Sequence, residues 1–369
     1  MLPVQNGKHG DMLKEKFSNK NILLTGATGF KGSWLATWLT HLGSNVYGFS
    51  SGLPSGPCLF NLLNLSDKIN SISGNINRIE ELDAAFDQVQ PDFVFHLAAQ
   101  AIVKRSYSDP VDTFQTNVMG TVNVLDALRR YEGSCVGVMV TSDKCYHNNE
   151  LGRPFIESDG FGGNDPYSAS KGAAEVVIRS YFHSFFSNRT DKQVVAARAG
   201  NVIGGGDWAD NRIVPDCIRS WVDEQVVELR SPNAIRPWQH VLEPLSGYLM
   251  IAAMATENEK ISGEGFNFGP NVKDRYTVLD LVKTMSSLWS DDESIYKVSD
   301  EANFEEAMTL LLDSSKAKQW LNWQPVLDFH QTVEYTTSWY KNYYINRKDV
   351  YEYTIQQIDQ YQSLMMSVQ

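Results

Sequence analysis

Cysteine is scarce in this chain: 369 residues contain four, Cys58, Cys135, Cys145 and Cys217. They are scattered without the spacing of a metal site, and a chain this long buries enough core to need no disulfide staples. They read as reduced thiols, and no metal is expected. Long apolar runs are missing too. No stretch is apolar for the length of a membrane span, and the opening MLPVQNGKHGDMLKEKFSNK carries charges where a secretory signal needs an apolar core. The expected setting is cytoplasmic, without membrane contact, and residues 1–18 read as a flexible leader. Basic residues are in deficit, 32 Lys and Arg against 44 Asp and Glu, for a formal charge of -12. That balance repels nucleic acid and anionic membranes, so an anionic substrate must be met by a local gathering of cations. No internal repeat is present.

What is there is an ordinary globular composition, 42% hydrophobic and 21% charged, in a chain too long for one core. Two cooperating lobes follow. Short apolar runs at Asn21–Thr25, 45–49, 92–97, 136–141 and 195–199 alternate with helical patterns. Two of the helices are long, over 110–131 and 165–186. The alternation predicts an α/β fold, a Rossmann-type doubly wound parallel sheet with helices on both faces. Beyond residue 200 the rhythm turns irregular, with glycine clusters and prolines at 215, 232, 237, 244 and 270, and GFNFGP (265–270) reads as a late strand returning to the sheet. The expected division is a cofactor lobe of 19–200 plus about 243–272 and a smaller, interleaved substrate lobe of about 201–242 plus 273–341. Residues 342–369 read as a C-terminal helical extension.

TGATGFKG sets Gly26, Gly29 and Gly32 three apart between the first strand and the first helix. Such glycines allow a tight turn, close approach of backbone to a pyrophosphate, and packing of helix on sheet, while the helix N-terminus offers unpaired N–H groups. Taken alone, the triplet also fits an ordinary strand-to-helix turn. The second strand ends in Ser50 and Ser51, where an acidic residue would hold the adenosine ribose; no arginine stands there for a 2'-phosphate, and NADP stays open on the residues alone.

Tyr167 and Lys171, in YSASK, lie four apart near the start of a helix and so project from one face. A nearby ammonium favours phenolate, which would make the tyrosine a base for an alcohol proton. The same spacing occurs on many purely structural helices. At the end of the 136–141 strand, where an open α/β sheet meets its ligand, stand Ser142, Asp143 and Lys144. Ser142 can bond the substrate hydroxyl, while Asp143 and Lys144 add a carboxyl and an amine that alcohol oxidation does not need. Seen apart from the rest, the last two fit a surface ion pair.

Glycine turn, HLAAQ (96–100), TSDK and YSASK, in that order, resemble the extended short-chain dehydrogenase/reductases. Among these the chain is similar to the CDP-glucose 4,6-dehydratases, through TGATGFKGSWL (25–35), TSDKCY (141–146), DPYSASKG (165–172), GNVIGGGDW (200–208) and RPWQHVLEPL (236–245). The likeness runs from about residue 19 to 340. FKGSW, SDK and RPWQHVLEP set this branch apart from the dTDP-glucose and GDP-mannose dehydratases.

The resemblance implies a tightly held, recycled NAD, bound by Gly26, Thr28, Gly29, Phe30, Lys31, Gly32, Asn75, Ile76, Leu97, Ala98, Ala99, Tyr167 and Lys171. It implies a nucleotide-sugar substrate held by Gln100, Asn201, Arg212, Arg236 and His240, the two arginines on the diphosphate. On the residues alone Trp208 and Trp238 could flank the base or the sugar, although aromatic side chains are more often core, and they are left out of the site. In the implied mechanism Tyr167 takes the C4 hydroxyl proton as hydride leaves C4. Asp143 then acts as acid while a base, Lys144 in the simplest reading, takes the C5 proton, and hydride returns to C6. The net reaction is a dehydration. One tension is electrostatic: the Lys144 ammonium should depress the pKa of Asp143, whereas an acid needs it raised, and a dry site in which the pair shares a proton would relieve this.

The chain departs from the family pattern at Asn75, where an adenine-binding aspartate is usual, and over 150–159, ELGRPFIESD, near the expected sugar site. The competing readings are a 4-epimerase, a dehydratase of another nucleotide sugar, and a non-catalytic dinucleotide-binding protein. The paired long helices imply a homodimer or homotetramer built on a four-helix bundle, and the family's products serve deoxysugar synthesis for lipopolysaccharide O-antigen.

Overall fold

The computed structural model describes residues 9–148, 152–229, 231–290, 296–298 and 311–367. Its centre is a seven-stranded, wholly parallel sheet. The strands are β1 (Asn21–Thr25), β2 (Asn45–Ser50), β3 (Asn70–Ser73), β4 (Phe93–His96), β5 (Cys135–Val140), β6 (Lys192–Ala199) and β7 (Gly265–Phe268). Their order is β7-β6-β5-β4-β1-β2-β3, so the chain reverses direction across the sheet between β1 and β4. A crevice opens outside the carboxyl ends of strands at such a switch point. The returning strand β7 runs beside β6, with Phe268 opposite Ala199.

Alternation along the strands splits the core in two. Ile22 and Leu24 of β1 enter one cluster and Leu23 the other. The first cluster, with Trp34, Trp38, Leu245 and Leu249, runs on without a break into the residues after 200. Short strand pairs braid that later region: Val202–Ile203 with Gln239–His240, and Ile235–Arg236 with Tyr276–Thr277.

Helices cover both faces. In chain order the ones that matter below are α1 (His9–Phe17), α2 (Phe30–His41), α3 (Gly120–Arg130), α4 (Pro166–Tyr181), α5 (Leu242–Ala255), α6 (Phe329–Lys341) and α7 (Val350–Ser367). The start of α4 is fixed by Asp165, whose carboxylate accepts the Ser168 N–H at 3.0 Å, and by Pro166 in the first turn.

Four expectations need correction. The leader is helical over His9–Phe17, because Leu13 and Phe17 are fully buried where α1 packs on α5 and α7. A further strand, Asn70–Ser73, joins the sheet without any apolar run to mark it, because it is a polar edge strand. The helix over 110–131 contains a π-turn at Gln115–Met119, and the one over 165–186 ends in a π-turn at Phe182–Phe186. No helix among the described residues is long and apolar enough to cross a membrane.

Candidate active site

The first turn is built by contact rather than by composition. Gly26 sits at φ 76°, and a Cβ there would lie 2.7 Å from the Ala98 nitrogen. A Cβ on Gly32 would run into the Gly26 carbonyl. Gly29 caps α2 without a side-chain bond, so the N–H groups of the first helical turn stay available to an anion. This cradle, which any Cβ would fill, fits the pyrophosphate of a dinucleotide. Around it, Thr28 donates from its N–H to Ser50 Oγ at 3.3 Å and from its hydroxyl to the Gly52 carbonyl at 2.7 Å. Leu97, Ala98 and Ala99 follow β4 and are half-buried beside the turn, and the Ala98 N–H donates to Thr25 Oγ1 at 3.3 Å. Asn75 Oδ1 is already bonded to the Asn77 N–H at 2.9 Å, and Ile76 is buried under Gly120.

β5 ends in a single 3-10 turn, Asp143–Cys145, preceded by Ser142. Ser142 Oγ donates to Asp143 Oδ1 at 2.9 Å and accepts the Lys144 N–H at 3.2 Å. It also lies close enough to the Tyr167 hydroxyl to pull its pKa down. Asp143 is buried, and its second oxygen, Oδ2, has no partner and abuts the backbone of Gly200. Burial raises its pKa above the ordinary carboxylate value, against the opposing pull of Lys144, Ser142 and Lys31. Burial thus moves the carboxyl in the direction an acid needs, against the Lys144 charge.

Tyr167 is pushed up to about 12, chiefly by burial, although nearby Ser142 and the charge of Arg212 act the other way. The expectation of a tyrosine drawn below its usual range is corrected: a phenolate in this dry pocket costs more than the nearby cations return. Lys171, equally enclosed, is lowered to about 8 by burial. Lys31, grouped by sequence with the pyrophosphate turn, has its amine among the acid and its neighbours instead. Burial, then the charges of Arg212 and Lys171, bring it to about 7, while Asp143 acts oppositely.

The nucleotide-side residues fare unevenly. Arg212 pairs with Asp207 at 3.0 Å and lies close enough to act on both Tyr167 and Lys31. Arg236 is half-buried in the strand pair with Tyr276–Thr277, and Asn201 is half-buried with its carbonyl accepting the Gln239 N–H. Gln100 spends its amide on structure: Oε1 accepts the Ile102 N–H at 2.6 Å and Nε2 donates to Thr113 at 2.9 Å. His240 is a correction. It has no exposed surface, lies edge-on between Trp34 and Tyr335, and burial lowers its pKa to about 3. Trp208 packs in an aromatic cluster with Trp339, Tyr340 and Tyr343, and Trp238 is buried. Of the 150–159 segment, Glu150 and Leu151 lie outside the described residues; Arg153 and Asp159 form a two-bond pair at 2.7 and 2.8 Å.

One site neighbour carries no mark in the sequence. Asn117, in the π-turn, accepts the Gln100 N–H at 2.8 Å and donates to the Gln100 carbonyl and to Ser170 Oγ, tying the loop after β4 to α4. Its only signal is the extra residue in the helix, which sequence periodicity does not show. Among the described residues no cluster of three or more His, Cys, Asp or Glu is placed to hold a metal.

Residues 23–336 match the family model for GDP-mannose 4,6-dehydratase. A curated CDP-glucose 4,6-dehydratase of Salmonella typhimurium is 44% identical, over 89% of this chain and 92% of that protein. A solved UDP-glucose 4-epimerase of Thermotoga maritima, with UDP-glucose, superposes with a TM-score of 0.75 at 23% identity, covering 88% of this chain and 99% of that one. A dTDP-glucose 4,6-dehydratase of Bacillus anthracis, in complex with NAD, gives 0.74 at 21%, covering 88% and 97%. The two solved structures share the fold described above, and the family match together with the Salmonella relative goes further: the chain belongs to the GDP-mannose 4,6-dehydratase family.

Proposed function

We propose that this chain is an NAD-dependent 4,6-dehydratase whose substrate is CDP-glucose, giving CDP-4-keto-6-deoxyglucose. The observation that carries this reading is the buried Asp143, bonded to Ser142, in the turn that packs against the helix bearing Tyr167 and Lys171. Oxidation of an alcohol needs the tyrosine and the lysine; a carboxyl whose burial favours its protonated form serves a second step, the departure of a hydroxyl as water.

The residues divide the work as follows. Tyr167, as phenolate, takes the proton of the C4 hydroxyl, with Ser142 holding that oxygen and Lys171 and Arg212 favouring the anion. Gly26, Gly29 and Gly32 give the pyrophosphate its room, and the open N–H groups of α2 meet its charge. Bound there, NAD would supply the hydride acceptor for C4 and the donor for C6, and its positive charge would favour the Tyr167 phenolate. Asp143 donates its proton to the C6 hydroxyl as an amine removes the proton at C5, which the C4 ketone has made acidic. Lys144 or Lys31 supplies that amine, and the ammonium so formed returns its proton to C5 as hydride reaches C6. Arg212 and Arg236 hold the diphosphate, and the identity to the Salmonella CDP-glucose 4,6-dehydratase supports the cytidine nucleotide.

We further divide the chain into a cofactor lobe, 19–200 plus about 243–272, and a substrate lobe, about 201–242 plus 273–341. The chain works as a homodimer or homotetramer in the cytoplasm, in deoxysugar synthesis of the kind that supplies lipopolysaccharide O-antigen. Exposed Val111, Phe114, Met119 and Val176 support the assembly, because they form an apolar face on the long helices.

The test is to incubate the purified protein with CDP-glucose, with and without added NAD, and follow the alkali-induced absorbance of a 4-keto-6-deoxy sugar. Absorbance that is lost in both Tyr167→Phe and Asp143→Asn supports the assignment. A product epimeric at C4, without that absorbance, would replace it with the 4-epimerase reading.

A further inference from the structure

A second group of buried polar side chains lies directly behind the site and takes no part in the steps above. Glu175 follows Lys171 by four residues on α4, one turn along the same face. It is 2% exposed and receives two parallel bonds from Arg198 of β6, at 2.7 and 2.8 Å, and a third from Thr141 Oγ1 at 2.5 Å. Arg198, also buried, donates from its remaining nitrogen to the Tyr146 hydroxyl at 2.7 Å. That hydroxyl donates to Asn267 Oδ1 of β7 at 2.7 Å. Asn267 in turn donates to the Phe155 carbonyl at 3.0 Å and, from its backbone, to the Glu157 carboxylate at 2.9 Å. The ring of Tyr146 stacks on Phe155, with centroids 5.0 Å apart, and the Arg198 guanidinium lies over Phe161. One arginine thus grips the catalytic helix with one side and the sugar-side segment, 146–161, with the other.

A buried ion pair adds little net stability, since desolvation offsets most of the attraction. Its contribution is therefore to be sought in what it holds. We propose that Glu175 and Arg198 are positioning residues: Glu175 is the counter-charge that keeps Lys171 an ammonium, and Arg198 fixes that carboxylate while clamping the 146–161 segment to the same helix.

The charges around Lys171 support this assignment, which rests on the reading of Lys171 as a site residue. Acting on it are Cys145 from the turn after β5 and then Glu175 on its own helix, and it acts in turn on Lys31 of α2 and His96 of β4; Arg198 stands behind Glu175. Burial holds the Cys145 thiol well above its ordinary pKa and keeps His96 uncharged. Glu175, one turn along the helix, is the carboxylate at its side, held by the Arg198 guanidinium. Lys171 is an ammonium below its pKa of about 8 and loses its charge as pH rises through that value. Without the Glu175 charge, the loss moves to lower pH.

The experiment compares Glu175→Gln, Glu175→Asp, Arg198→Met and Arg198→Lys with the wild-type chain. Two quantities are read: the pH dependence of kcat/KM with CDP-glucose, and the titration of Lys171 itself, followed by the pH dependence of its acetylation by acetic anhydride in mass spectrometry. Glu175→Gln should move the alkaline limb and the Lys171 titration acidward by about one pH unit. Arg198→Met should do the same, because a buried carboxylate stripped of its cation takes up a proton, and the double variant should move no further. Glu175→Asp keeps the charge and should hold the wild-type titration. Arg198→Lys should keep the limb but raise KM, since a point charge cannot hold Glu175 and Tyr146 together. Variants that melt earlier while the Lys171 titration stays in place would overturn the proposal. The acetylation arm needs no turnover, so inactivity of the wild-type chain on CDP-glucose would count against the substrate assignment and leave the role of Glu175 to be decided by the titration.

Discussion

Exchanging Asp143 for asparagine removes one titratable proton and keeps the shape of the side chain. The amide oxygen would still accept from Ser142 Oγ, as Asp143 Oδ1 does at 2.9 Å, and the amide nitrogen would take the place of the unpartnered Oδ2 beside Gly200. The stability change should be small, because an unpaired buried polar atom is exchanged for another of the same size. The chemistry should change much more. A positioned general acid contributes about 10²- to 10⁴-fold, so elimination should slow by about 3–5 kcal/mol in barrier. Tyr167, Ser142 and Lys171 are untouched, so oxidation at C4 should survive. In a single-turnover mixing experiment with CDP-glucose, the near-ultraviolet absorbance of reduced cofactor should rise at the wild-type rate and then persist instead of decaying. Wild-type product formation by Asp143→Asn would refute the acid role. Loss of the initial rise would show that Asp143 acts in the oxidation, and would equally refute the division of labour between Tyr167 and Asp143.

Other outcomes follow from the same geometry. Glu243, buried on α5, accepts from the Val326 and Leu327 N–H groups and from the Tyr361 hydroxyl of α7, and burial raises its pKa from 4.5 to about 7. The folded chain holds that proton where the unfolded chain has released it, so stability falls as pH rises from about 4.5 to about 7, by about 3 kcal/mol in all. Denaturant melts of the wild type and Glu243→Gln across this range should show the slope vanish in the variant. Gly32→Ala should press a Cβ against the Gly26 carbonyl, abolish NAD binding in a fluorescence titration, and cost about 1–3 kcal/mol of stability. Val111→Asp places a charge on the apolar face of the long helices and should convert the assembly to a 41.5 kDa species in light scattering. An unchanged mass would remove that face from the interface.

The parts of this fold that can be read in the sequence are those set by local pattern. The apolar run of β1, the three glycines and the helix after them are contiguous, and their spacing dictates strand, turn and helix whatever surrounds them. Ser142, Asp143, Tyr167 and Lys171 are legible because two of them follow a strand end and two share a helix face. What escapes depends on distant partners. The α1 helix packs on α7, at the other end of the chain, and its Phe17 meets Phe93 and Phe95 of β4, and nothing near it announces either contact. Asn70–Ser73 joins the sheet through its backbone at an edge, where polar side chains face water. His240 sits inside a motif that also carries Arg236, but its burial between Trp34 and Tyr335 is a tertiary property. The protonation of Asp143 and Tyr167 likewise turns on how much water the closed pocket excludes, which residue order alone does not state.

The central claim, that hydride leaves C4 and returns to C6 of one sugar after water has gone, is tested most directly with CDP-glucose deuterated at C4. NMR of the product should find the deuterium in a new C6 methyl group of a 4-keto sugar. Deuterium returned to C4, in a sugar that keeps its C6 hydroxyl, would contradict the dehydratase account and leave an epimerase on the same fold.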